Sequence, residues 1–87
     1  MIYKIEFALR AIKALAQLQK SQPAIASRVI NAINVLAHNP FCGKALRADL
    51  RGYYSLRIGI YRAIYRIDQD RIVIQVVRVG HRRDGYR

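Results

Sequence analysis

The sequence is short of cysteine, proline, glycine and acid, and it has no tryptophan. Its one cysteine, Cys42, rules out an intrachain disulfide and a cysteine-based zinc site, and a lone thiol fits a reducing compartment. Five acidic residues in 87 leave little material for metal ligation or for paired catalytic carboxylates. Glu6 is the one glutamate, and Asp68, Asp70 and Asp84 fall at turns or in the tail. No apolar run approaches the roughly 18 residues of a membrane-spanning helix. Residues 1–6 lack the basic stretch and long apolar run of a signal peptide. There is no glycine-rich phosphate loop and no nucleophile elbow.

What the sequence has in excess is positive charge. Sixteen Lys and Arg against five acids give a formal charge of +11 on 87 residues. Residues 44–87 hold eleven of the basic residues, ten of them Arg, and four of the acids. The Arg fork matches phosphate oxygens in a way that a lysine point charge does not. Such a charge favours a polyanion: nucleic acid first, an anionic membrane surface second, an acidic protein third. With 53% hydrophobic residues, the chain has enough apolar material for a core and is not a disordered basic tail. Its length predicts one domain over residues 1–87, working in the cytoplasm.

Residues 2–7 read as a strand. From Ala8 to Lys20, Leu9, Ile12, Leu15, Ala16 and Leu18 recur at helical spacing. Pro23 suits the first turn of a second helix, whose stripe is Ile25, Val29, Ile33 and Leu36 and which runs to about His38, where Asn39-Pro40 stops it. The two helices form an antiparallel hairpin. A loop over 39–52 carries Pro40, Gly43 and Gly52, with a helical turn around 46–50. Three strands follow, Tyr53–Ile58, Tyr61–Ile67 and Arg71–Val79, joined by turns at Gly59-Ile60 and at 68–70. The last is apolar on both faces and belongs inside the sheet. The class is α+β, in the order β-α-α-β-β-β, with the helical hairpin packed on a mostly antiparallel four-stranded sheet.

The chemistry-bearing residues that remain are cations and phenols: Arg57, Arg62, Arg66, Arg78, His81, Arg82, Arg83 and Tyr86. Such a set can cut RNA without a metal, because RNA carries its own nucleophile, the 2′-hydroxyl. The protein has to align that oxygen, stabilise the charge of the phosphorane and help the 5′-oxygen leave. Guanidinium groups suit the charge role but not proton exchange, for which His81 has the right range. Tyr86 can stack on a base. Lys44, Arg47, Arg51, Arg66, Arg78 and Arg83 are candidate RNA-binding cations. Residues 62, 64 and 66 share one face of their strand, and Tyr61, Ala63 and Tyr65 share the other, as packing residues. His38 reads as a helix-terminal residue and Cys42 as an inert loop thiol.

The stretch Tyr54-Ser55-Leu56-Arg57-Ile58-Gly59-Ile60-Tyr61-Arg62-Ala63-Ile64-Tyr65-Arg66, with the later Val79-Gly80-His81-Arg82 and Tyr86, resembles the RelE/ParE superfamily of toxins, and its RelE branch in particular. The resemblance spans essentially the whole chain. It implies a microbial-ribonuclease-like fold, ribosome-dependent cleavage of mRNA in the A site, no cofactor or metal, no membrane partner, and an acidic antitoxin that silences the protein. By position it makes Arg57 a phosphate-holding cation and Arg62 the arginine that stabilises the transition state. Arg82 is placed beside the scissile phosphate, and Tyr86 orients the substrate by stacking. The sequence departs from the branch at Ser55, where a lysine usually helps to activate the nucleophile; His81 could take over part of that proton transfer. Two other functions fit the same resemblance less fully: a ParE-like inhibitor of DNA gyrase with no RNase activity, and a non-enzymatic RNA- or ribosome-binding protein.

Overall fold

The computed structural model describes residues 2–81. Arg82, Arg83 and Tyr86 therefore lie outside the described residues. In chain order the elements are β1 (Lys4–Phe7), α1 (Leu9–Ser21), α2 (Pro23–Val35), β2 (Lys44–Ala45), β3 (Tyr53–Ile58), β4 (Tyr61–Asp68) and β5 (Val73–His81), with 3-10 turns at Pro40–Cys42 and Ala48–Leu50. The strands form one sheet in the order β1-β5-β4-β3-β2. β1 runs parallel to β5, and the other pairings are antiparallel. The class is the expected α+β. The sheet has five strands rather than four, because Lys44 and Ala45 pair with Ser55 and Tyr54 across the edge of β3. β5 lies between β1 and β4, as its two apolar faces require.

Pro23 occupies the first turn of α2, where its missing N–H leaves no bond unmade. The stripe of α2 is the expected one, with Val29, Ile33 and Leu36 fully buried and Ile25 half-buried. The helix itself ends at Val35, and residues 36–38 follow as turns. The buried face of α1 differs from expectation. Ala11 and Leu18 are buried and Ala14 and Leu15 half-buried, while Leu9 (66%) and Ile12 (50%) stand exposed. Periodicity marks a broad apolar arc on this helix. Which part of the arc faces the sheet is decided by small residues: Ala11 and Ala14 let α1 lie close over β5.

Both helices cover one face of the sheet. Under them lie Tyr54, Leu56, Tyr61, Ala63, Tyr65, Ile74, Val76 and Val79, with Ile5 and Phe7 from β1. Tyr65, Ile33, Leu36, Ile74, Val29 and Val76 are the largest fully buried side chains. Burying one such aliphatic side chain contributes about 1.5–3 kcal/mol. Alternation sends the intervening residues to the other face, which no helix covers.

The pairing of β4 with β5 slips between Ile64 and Tyr65: Ile64 pairs with Arg78 and Tyr65 with Val76, leaving Val77 as an extra residue. This bulge reverses the phase of β5. Gln75 and Arg78 then share the uncovered face, and Val76 and Val79 both enter the core.

Candidate functional site

The register of the strands arranges the uncovered face in rows. In one row Arg57 of β3 lies opposite Arg62 of β4, and Arg62 opposite Gly80 of β5. The next row is Lys44, Ser55, Ile64 and Arg78. The third is Tyr53, Arg66, Gln75 and Glu6. Five cations from four strands, Lys44, Arg57, Arg62, Arg66 and Arg78, thus share one face. Gly80 brings no side chain to its position, and Arg62, Ile64, Arg78, Gly80 and His81 line a shallow cleft of only about 10 Å³ over β4. Ile64 forms an apolar floor, 4% exposed beneath the cations around it. The long stems of Arg62 and Arg78, both half-buried, supply that cover.

The carboxylates of this face gather at its far end. Glu6 meets Arg71 at 3.4 Å, and Asp68 holds Arg71 through its backbone N–H at 3.1 Å and its guanidinium at 4.0 Å. Among the described residues, neither the Arg57 row nor the Lys44 row contains an acid. Like charges placed directly opposite in a sheet are destabilising by roughly 0.2–1 kcal/mol. The Arg57–Arg62 pairing concentrates positive charge that a bound anion would offset.

His81 takes a different position. It pairs with Tyr61, one strand residue beyond Gly80, on the side of the helices. Its ring meets the Tyr61 ring edge-on at 5.8 Å. It rims both the cleft beside Arg62 and a hollow of about 310 Å³ lined by Gln17, Leu18, Gln22 and Tyr61. The structure thus sets His81 at the border of the cationic rows, not within them. Arg47 and Arg51 flank the 3-10 turn Ala48–Leu50 and are exposed off the edge of β2, outside the rows. Cys42 is exposed, and among the described residues no three His, Cys, Asp or Glu side chains converge.

Sequence reading missed the anchor that holds the edge of this site. Buried Tyr65 donates from its hydroxyl to the Pro40 carbonyl at 2.8 Å and accepts from the Gly43 N–H at 3.1 Å. Burial pushes the phenol up to about 12, against the Gly43 N–H, which favours the phenolate. Its ring stacks on Tyr54 at 5.5 Å. A side chain at Gly43 would collide with that hydroxyl and approach the Ser55 carbonyl to 2.9 Å. Gly43 thus lets β2 close on β3. The signal was available as a glycine between a proline turn and a lysine, but its partner lies 22 residues away.

The α+β fold of this chain is shared with known proteins. The family described as the ParE toxin of the type II toxin–antitoxin system parDE matches residues 5–86. The chain belongs to that family and is RelE-like within it. It is 38% identical to toxin RelG of Mycobacterium tuberculosis over 89 residues, covering 100% of this chain and 99% of that one. It is 34% identical to toxin RelE of the same organism over 76 residues, covering 85% and 78% of the two chains. In the crystal structure of the toxin–antitoxin complex RelBE2 from M. tuberculosis, a chain 34% identical superposes with a TM-score of 0.84, covering 93% of this chain and 92% of that one.

Proposed function

We propose that this toxin is an endoribonuclease that cuts mRNA on the ribosome without a metal ion, and that an acidic antitoxin silences it in the cytoplasm. The observation that carries the reading is the convergence of Lys44, Arg57, Arg62, Arg66 and Arg78, from four strands, on a sheet face left uncovered by the helices. A nucleic-acid backbone can lie along such a face. The 2′-oxygen attacks the adjacent phosphorus and the bond to the 5′-oxygen breaks. The proton lost from the 2′-hydroxyl is matched by one gained at the 5′-oxygen. The products are a 2′,3′-cyclic phosphate and a 5′-hydroxyl. Arg62, flanked by Arg57, stabilises the negative charge of the phosphorane. Arg66, Arg78, Lys44, Arg47 and Arg51 follow the flanking phosphates. In this reading Arg82, Arg83 and Tyr86, which follow β5 directly in sequence, complete the substrate contacts. His81 stands at the border of the cleft as a proton-exchanging group.

The ribosome supplies alignment of the reacting atoms, which can be worth several kcal/mol. Mapping 5′ ends in cells that express the toxin, with and without translation, tests the reading. New ends in translated messages support it; intact messages refute it. Support for an antitoxin comes from the relative solved as a toxin–antitoxin complex. Leu9 and Ile12 on α1, exposed and apolar, offer that partner an anchoring surface.

A second reading has one observation in its favour: the matching family is described as ParE toxins. A ParE-like gyrase inhibitor would leave RNA intact and damage DNA. The cationic rows have no use in that activity, which is why the RNase reading is preferred.

A further inference from the structure

Lys44, one of the cations that follow the flanking phosphates, also lies diagonally across the ladder from Arg57. It is the register partner of Ser55, and Arg57 lies two residues along from Ser55 on the same face. Diagonal neighbours in an antiparallel pair have side chains within roughly 7–8 Å, and the four-carbon stem of a lysine spans that gap. Ser55 is short and half-buried. Lys44 is exposed and takes part in neither ion pair among the described residues. The fold also holds its strand in place: the Tyr65 hydroxyl ties Pro40 and Gly43, directly before Lys44, to the middle of β4. A mere surface cation would not call for a two-residue strand fixed by a buried phenol.

We propose that Lys44 is a further catalytic residue, whose ammonium stabilises the charge that develops on the reacting oxygens beside Arg57 and Arg62. An ammonium is a compact point charge with three donors, suited to a single oxygen, whereas the guanidinium forks suit a phosphate edge. Positions 44 and 55 then become interchangeable sources of the same amine, because they face each other across one ladder. The inference rests on the endoribonuclease reading.

The test is single-turnover cleavage of mRNA on programmed ribosomes by purified toxin. Lys44→Ala is expected to lower the saturated rate by about 100-fold with little change in KM. Lys44→Arg keeps the charge but loses the compact ammonium, and it retains only part of the rate, above that of Lys44→Ala. Adding Ser55→Lys to Lys44→Ala restores at least about tenfold, the amine now rising from the facing position. Lys20→Ala, an equal charge change on α1, leaves the rate as in the wild type. Thermal melts equal to the wild type exclude misfolding; if Lys44→Ala melts early, Lys44→Arg and the double variant carry the test. A wild-type rate for Lys44→Ala, a loss confined to KM, or no recovery in the double variant overturns the proposal. A wild-type protein that does not cut at all overturns the endoribonuclease reading with it. A wild type that cuts, an Arg62→Ala variant that does not, and an undiminished Lys44→Ala variant overturn the Lys44 assignment alone.

Discussion

The hydroxyl of Tyr65 accepts a hydrogen bond from the Gly43 amide at 3.1 Å and donates one to the Pro40 carbonyl at 2.8 Å. One buried phenol thereby joins the middle of β4 to the segment that leads into β2, and it fixes the edge on which Lys44 sits. Removing that hydroxyl leaves the Gly43 amide and the Pro40 carbonyl without this partner. Tyr65→Phe should cost about 1–3 kcal/mol in denaturant unfolding. Gly43→Ala, which puts a methyl group into the same contact, should cost about 1–3 kcal/mol through overpacking. Both should lower cleavage more than their loss of stability explains, because Lys44 is displaced.

The same phenol predicts an alkaline limb. Its folded-state value of about 12 lies above its ordinary value of 10.0, so folding favours the protonated form. The associated stability is fully present below pH 10.0 and is lost as pH rises from there toward about 12. Melting temperature measured across that window should fall more steeply for the wild type than for Tyr65→Phe. Equal slopes would show that Tyr65 does not carry the effect.

The opposed pair Arg57 and Arg62 sets stability against function. Arg57→Gln should raise the melting temperature of the free toxin at low salt, by an amount corresponding to about 0.2–1 kcal/mol, while weakening ribosome binding or cleavage. Added salt should raise the wild-type melting temperature more than that of the variant, since it screens the repulsion that the variant lacks. A lower melting temperature for Arg57→Gln would mean that the pairing is not repulsive.

Ala48 is exposed and holds a φ of +57°, a left-handed conformation that suits glycine. Ala48→Gly should stabilise the fold by about 1 kcal/mol, reduced by the greater freedom of glycine in the unfolded chain. Thermal unfolding checks it, and cleavage should be unchanged.

The antitoxin complex should survive a rise in salt from about 0.1 to 1 M, because apolar anchoring on Leu9 and Ile12 is not screened as exposed ion pairs are. Leu9→Ser with Ile12→Ser should weaken binding of the antitoxin and spare cleavage. Dissociation of the wild-type complex over that salt range would instead point to an ionic lid on the arginine rows.

Much of this arrangement is legible in the sequence because local pattern and tertiary structure agree. The stripe Ile25, Val29, Ile33 and Leu36 names the buried face of α2, and the alternation around Arg62 and Tyr65 names both faces of β4. Four features escape pattern reading for physical reasons. A two-residue strand such as Lys44–Ala45 has no period of its own and exists because Tyr65 and Gly43 hold it. The exposed Leu9 and Ile12 have the same hydropathy as buried residues, and only the close approach of Ala11 to β5 decides between them. The bulge at Val77 interrupts the alternation of β5, so the face of Arg78 follows from the pairing and not from its neighbours. His81 is adjacent to Arg82 in sequence, yet its strand position turns it toward Tyr61.

The central claim is that the arginine rows perform phosphoryl chemistry, and Arg62 tests it most directly. The measurement is the single-turnover rate of Arg62→Ala on ribosome-bound mRNA, with toxin–ribosome affinity measured in parallel. The account predicts a rate loss of about 100-fold or more with affinity nearly unchanged, since the charge that Arg62 meets appears only in the transition state. Cleavage by Arg62→Ala at the wild-type rate would contradict the assignment of this face as the active site.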